Sequence, residues 1–131
     1  MKKIAICIDF DGTCVSHEFP NVGENIGAVE VLRELINAGH HLILFTMRSN
    51  SSKRKYLDEA LDWFNDNEIE LYGIQSNPTQ HAWTSSPKAY GQIYIDDAAL
   101  GCPLKHDENI SLRPFVDWDK VREILKFNEV L

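Results

Sequence analysis

Two nearly continuous apolar runs, each ending in a pair of carboxylates, constrain this chain more than any other feature. Residues 3–9 read Lys-Ile-Ala-Ile-Cys-Ile-Asp and lead into Phe10, Asp11, Gly12 and Thr13; residues 92–96 read Gln-Ile-Tyr-Ile-Asp and lead into Asp97. A run without polar alternation suits a strand buried on both faces of a parallel sheet. Residues 41–46 (His-Leu-Ile-Leu-Phe-Thr) form a third run of this kind and residues 71–74 a shorter one.

Helical spacing fills the intervals. Over residues 24–38, Ile26, Val29, Leu32, Leu35 and Ile36 recur on one face, and Gly39 supplies a C-terminal stop. Residues 52–65 carry Leu57, Leu61 and Phe64 on one face with Ala60 beside them. Asp117 reads as the N-cap of a final helix that turns Val121, Ile124 and Leu125 inward. Residues 75–87 are polar, hold two prolines and show no period, so they read as a loop. Strands alternating with helices predict right-handed crossovers and an α/β fold of three layers, a parallel sheet with helices on both faces. Ligands of such sheets bind beyond the carboxyl ends of the strands. Here those ends carry Asp9, Thr46 and Asp96-Asp97.

The length of 131 residues, without repeat, linker or low-complexity tract, is that of a single domain spanning residues 1–131. No apolar run approaches the ~20 residues that span a bilayer. Asp9 and Asp11 interrupt the first run before a signal-peptide core forms, so the expected location is the cytoplasm. Cys7, Cys14 and Cys102 are odd in number and lack a CxxC pair, which fits unpaired thiols in a reducing compartment. The five histidines do not fall at zinc-ligand spacing with them. A net charge of −7 opposes nucleic-acid binding by the surface as a whole.

In Asp9-Phe10-Asp11-Gly12-Thr13 the carboxylates stand at i and i+2, and Gly12 permits close backbone approach to a ligand. An Asp-Gly pair alone also forms ordinary turns. Two acid pairs, each ending an apolar strand, instead place three or four like charges at one sheet edge, where a cation relieves them. Oxygen donors without a soft ligand select Mg²⁺ over zinc.

Residues 4–13 resemble the first motif of the haloacid dehalogenase (HAD) superfamily. Thr46 after Leu42-Ile43-Leu44-Phe45 resembles the second, Lys88 in Ser86-Pro87-Lys88 the third, and Ile93-Tyr94-Ile95-Asp96-Asp97 the acidic fourth. The resemblance runs in order from residue 4 to 97. It implies a Mg²⁺-dependent phosphohydrolase in which Asp9 attacks phosphorus to form an aspartyl-phosphate and Asp11 serves as general acid and base. Dehalogenating members lack the second acid. By the same resemblance Mg²⁺ is held by Asp9, the main-chain carbonyl of Asp11 and an acid of the last motif, Asp97 directly with Asp96 in support or the reverse. Thr46 and Lys88 hold the phosphoryl group, in a surface that also includes Gly12 and Met47.

Arg48, two residues beyond Thr46, is a candidate substrate contact through its planar fork of donors. Lys53-Arg54-Lys55 fall in the first turn of the expected helix, where cations oppose the helix dipole, and this hints at an anionic partner. Residues 12–45 and 47–87 are too short for a cap domain. The site is then open, or roofed by the 75–87 loop with His81 and Trp83, by the turn around His17 and Phe19, or by a second copy in a homo-oligomer. The implied substrate is a small phosphorylated metabolite or a nucleotide or polynucleotide end. The competing readings are a phospho-acceptor module like response-regulator receivers and a HAD-like binding protein without turnover.

Overall fold

A computed structural model describing residues 2–131 places the first apolar run inside a four-stranded parallel sheet. Its strands are β1 (Ala5–Ile8), β2 (His41–Leu44), β3 (Gly73–Ile74) and β4 (Ile93–Ile95), in the order β3-β2-β1-β4. Ile8 stands opposite both Leu44 and Ile95, so β1, β2 and β4 end level. That register brings the residues following each strand to one edge.

Helices α1 (Ala28–Asn37), α2 (Tyr56–Asp66) and α3 (Trp118–Phe127) bury Leu32 and Leu35, Ala60 and Phe64, and Val121 and Leu125 in one cluster with Ile6, Ile8, Leu42 and Leu44. The alternate strand residues Ala5, Cys7 and Ile43 form a smaller cluster with Ala89 on the opposite face. The α/β fold and its three layers are therefore present, with an uneven outer layer. The second face is covered by the connection from β3 to β4, whose helical content is the 3-10 turn Gln80–Ala82. This expected loop is fixed from within. Buried Gln80 accepts through Oε1 from the N–H groups of Asn77 and Tyr90 and donates through Nε2 to the carbonyls of Ser86 and Lys88. No cap domain interrupts the chain among the described residues.

Several boundaries differ from those predicted by periodicity. α1 starts at Ala28 rather than near residue 24, because Glu24 and Asn25 are engaged by Ser16 and Val15; Ile26 is buried but lies outside the helix. Its end is as expected: Gly39, at φ 93, donates to Ile36, and His40 donates to Leu35. α2 starts at Tyr56, so Lys53, Arg54 and Lys55 precede the helix instead of opening it. Asn50 Oδ1 caps it from outside by accepting from the N–H groups of Leu57 and Asp58, and the first turn holds Asp58 and Glu59, which suit the dipole. The anticipated dipole conflict is absent. Asp117 does cap α3, accepting from the Lys120 N–H, but Ile124 is half exposed while Trp118, Val121 and Leu125 make the inward stripe.

The two-residue strands β5 (Leu104–Lys105) and β6 (Phe115–Val116), paired antiparallel, are too short to leave a sequence pattern. β6 and the start of α3 nevertheless secure the loop after β1: the Val116 N–H donates to the Gly12 carbonyl at 3.1 Å, and the buried Trp118 Nε1–H to the Thr13 carbonyl at 2.7 Å. No helix among the described residues is long and apolar enough to cross a membrane.

Replacing Trp118 by Phe keeps most of the buried ring and removes the donor to Thr13. Stability should fall by about 1–3 kcal/mol, read as a lower urea midpoint with an unchanged denaturant slope. A midpoint equal to that of the unaltered protein would mean the Thr13 carbonyl is satisfied without the indole.

Candidate active site

Because β1 and β4 end level, Asp9 and the Asp96-Asp97 pair leave adjacent strands side by side. One carboxylate oxygen from each of Asp9, Asp96 and Asp97 lies within 4.8 Å of the others. Buried Thr13 organises the group: its hydroxyl donates to Asp9 Oδ2 at 2.9 Å and accepts from the Asp97 N–H at 3.0 Å. Gly12 makes the approach possible. At φ 80 it occupies the left-handed region, and a Cβ placed there would lie 2.3 Å from Asp97 Oδ2.

Three acids this close destabilise one another's ionised forms. Burial, then the charge of Asp96, push the Asp9 carboxyl up to about 8, against the opposing hydrogen bond from Thr13. Burial and Asp97 also raise Asp96, against the Ala98 N–H that its carboxylate accepts. No cysteine among the described residues contributes a ligand atom to this cluster. The donor set is thus carboxylate oxygen throughout, which fits a hard cation such as Mg²⁺.

A cavity of 230 Å³ opens beside Asp9. Asp11, Thr46, Met47 and Arg48 line it, with His17 and Phe19 at its wall. The Thr46 backbone is clamped by Gln75, which accepts from its N–H at 2.9 Å and donates to its carbonyl at 2.7 Å. Thr46 Oγ1 accepts from the Arg48 N–H at 3.1 Å, leaving the hydroxyl proton for an acceptor in the cavity. Met47 is almost fully exposed at the mouth.

Arg48, expected as a substrate contact, lines the cavity but is engaged within the protein itself. It is 2% exposed, and its Nε and Nη2 donate to the two oxygens of Asp11 at 2.9 and 2.8 Å. Nη2 also reaches the Asn21 carbonyl and Nη1 the Tyr56 carbonyl, while the guanidinium lies 5.1 Å from the ring centres of both Phe10 and Phe19. A planar fork matched to a carboxylate explains the preference. The Asp11 carboxylate is therefore paired with Arg48 and is not part of the Asp9, Asp96 and Asp97 cluster.

Other candidates stay outside the cavity. Lys88 is exposed, its Nζ 5.4 Å from the centre of the Tyr94 ring. His81 meets Ser76 and Trp83 packs edge-on against Tyr90, so neither roofs the acids. Arg54 is paired with Glu59 through two hydrogen bonds, and Lys53 and Lys55 are exposed. Of the roofs expected from the chain's own loops, the turn around His17 and Phe19 is the one that reaches the cavity. Sequence reasoning assigned no role to Thr13, although it sits within the first motif. It also missed Gln75, which no sequence signal marks. The larger groove of 490 Å³ between β4 and α3 is lined by apolar residues such as Leu100, Ile124 and Leu125 and holds no charged side chain.

No protein-family model matches the sequence, and no curated protein matches it significantly. Among solved structures, one described as that of a conserved protein coded by a locus from Bacteroides thetaiotaomicron is 32% identical. It superposes with a TM-score of 0.76 over 97% of this chain and 93% of that one. At that identity and coverage, this chain belongs to the same family as the conserved Bacteroides thetaiotaomicron protein.

Proposed function

We propose that this protein is a Mg²⁺-dependent phosphomonoester phosphohydrolase that works in the manner of the HAD superfamily, with Asp9 as nucleophile. The observation that carries this reading is the convergence of Asp9, Asp96 and Asp97 beside a cavity whose walls hold Asp11 and Thr46. Asp9, Asp96, Asp97 and the Asp11 carbonyl would hold the ion, whose positive charge would offset the carboxylates and the phosphoryl oxygens.

The residues then divide the work. Thr13 holds one Asp9 oxygen and so directs the other toward the cavity. An Asp9 oxygen bonds to phosphorus as the bond from phosphorus to the ester oxygen breaks, and the departing alcohol takes a proton from Asp11. Water next attacks the phosphorus of the aspartyl-phosphate, Asp11 accepts its proton, and the bond to Asp9 breaks to release phosphate. Thr46 offers its hydroxyl to the phosphoryl oxygens as charge spreads over them. Lys88 would have to swing away from Tyr94 to join it.

The surroundings favour a small leaving group over a long polyanion. Arg48 is neutralised by Asp11 and Arg54 by Glu59, so these two cations are already committed, and Phe19 and Met47 give the mouth an apolar rim. A small phosphorylated metabolite or a mononucleotide suits that rim. Free thiols at Cys7, Cys14 and Cys102 fit a reducing, cytoplasmic setting.

Asp9→Asn should reduce Mg²⁺-dependent hydrolysis of p-nitrophenyl phosphate by roughly 10³-fold or more, the scale of a lost nucleophile, and chelator should do the same to the unaltered protein. Undiminished turnover by that variant would remove Asp9 from the mechanism. Gly12→Ala, by displacing Asp97, should weaken Mg²⁺ binding roughly 10-fold or more, measured by calorimetry; equal affinity would separate Asp97 from the ion.

The raised Asp9 also dictates a pH dependence. Without metal, the native state keeps its proton up to about pH 8, whereas the unfolded chain releases it near the ordinary value of 3.8. The native state thus binds more protons in that window, and stability falls as pH rises from about 4 to about 8. Mg²⁺ should therefore raise the thermal midpoint more at pH 8 than at pH 5. An equal rise at both would show that Asp9 is not the group being relieved.

A further inference from the structure

Arg48 is bound more fully than a substrate-contacting side chain needs to be. Four of its five N–H groups are engaged, two by Asp11 and one each by the Asn21 and Tyr56 carbonyls. Its guanidinium is enclosed between Phe10 and Phe19. To reach a phosphoryl group it would have to break these contacts and leave the Asp11 carboxylate, whose side chain is 13% exposed, without its partner.

The same residue acts on the cavity in two other ways. Its main-chain N–H holds Thr46 Oγ1, and its fork prevents the Asp11 carboxylate from rotating. Without that fork, Asp11 would be an acid two residues from Asp9, driven toward solvent by a site already crowded with Asp9, Asp96 and Asp97. Each Asp11 oxygen accepts from Arg48 and keeps a further lone pair. That arrangement serves a group that is to receive a proton from water more directly than one that is to give a proton away.

Resting on the phosphohydrolase reading above, we propose that Arg48 is a positioning residue. It holds Asp11 at the cavity wall as the proton acceptor for the hydrolytic half of the reaction, and touches no substrate itself. The two halves can be separated with p-nitrophenyl phosphate, whose leaving group departs without needing a proton. Formation of the aspartyl-phosphate then reports on Asp9, and its breakdown on Asp11.

The experiment is rapid mixing of this ester and Mg²⁺ with the unaltered protein, Arg48→Lys, Asp11→Asn and the double variant. Arg48→Lys should release its first equivalent of p-nitrophenolate about as fast as the unaltered protein. Steady turnover should then fall roughly 10²-fold, the scale of lost general base catalysis, with KM falling alongside it so that kcat/KM is little changed, and with phosphate retained on acid-quenched protein. Asp11→Asn should behave alike, and the double variant should be no slower than Asp11→Asn within about 2-fold, because both changes remove one function.

Loss of the first release together with a raised KM would make Arg48 a substrate contact and overturn the proposal. Multiplying losses in the double variant would overturn it too. Should circular dichroism show Arg48→Lys unfolded, Arg48→Met, which keeps the stem between Phe10 and Phe19, is read by the same criteria. If the unaltered protein turns over no phosphoester while still binding Mg²⁺, the phosphohydrolase reading itself fails and this inference falls with it. Turnover with substrate-contact behaviour sinks the Arg48 assignment alone.

Discussion

Carboxylates brought together at the level ends of β1 and β4 repel one another, and the structure around them is arranged to bear that repulsion. Register is the cause. Ile8 stands opposite Ile95, so the next residue of each strand is an aspartate, and the sheet cannot form in this alignment without placing them side by side. The Thr13 hydroxyl bridges the two strands' acids, donating to one and accepting from the backbone of the other. The raised Asp9 shows that this hydrogen bond does not cancel the burial and the neighbouring charge. Concentrated like charge without an internal counterion is a configuration that an external cation stabilises.

The last third of the chain has its main structural role here. Gly12 and Thr13 lie on a tight turn, with the N–H groups of Thr13 and Cys14 both directed at the Phe10 carbonyl. Val116 and Trp118 grip the outward carbonyls of this turn, and the Asp117 cap between them starts α3. α3 in turn packs through Val121 and Leu125 on the sheet face that carries Ile6 and Ile8. The turn bearing the nucleophile candidate is therefore fastened from both sides by buried structure. Sites held this way keep their geometry when a ligand arrives, which lowers the reorganisation a reaction must supply.

The strands and their acidic ends were legible because buried parallel strands leave uninterrupted apolar runs, and the acids that end them break those runs visibly. Helix ends were legible where one residue decides them, as Gly39 and Asp117 do. Helix starts were not: α1 and α2 begin late because Glu24 and Asn50 are drawn into partnerships with residues seven or eight away in the chain, and periodicity does not register such bonds. The pairing of Arg48 with Asp11 was not legible for a related reason. An arginine near a phosphate-binding position and an arginine paired to a carboxylate look the same in sequence, and the pairing depends on how a chain separation of 37 positions folds Arg48 back onto Asp11. Gln75 and Gln80, which clamp the site's second strand end and the covering loop, are neutral amides whose partners are all backbone groups. Nothing in residue type or spacing distinguishes them from surface glutamines.

A site without a cap has to shield its reacting atoms with what its own loops provide. Here the turn around Phe19 is fastened by Arg48 through Asn21 and by Arg54 through Pro20, and Phe19 lies against Tyr56 at the start of α2. This wall covers the Asp11 side of a cavity of 230 Å³ and leaves the mouth at Met47 open. Such a space is larger than a phosphoryl group and opens to solvent at its mouth. Under the proposed chemistry, the group that leaves would lie partly within the cavity and partly against that mouth. Discrimination between leaving groups would rest on the apolar rim, where one methylene more or less is worth only about 1–3 kcal/mol.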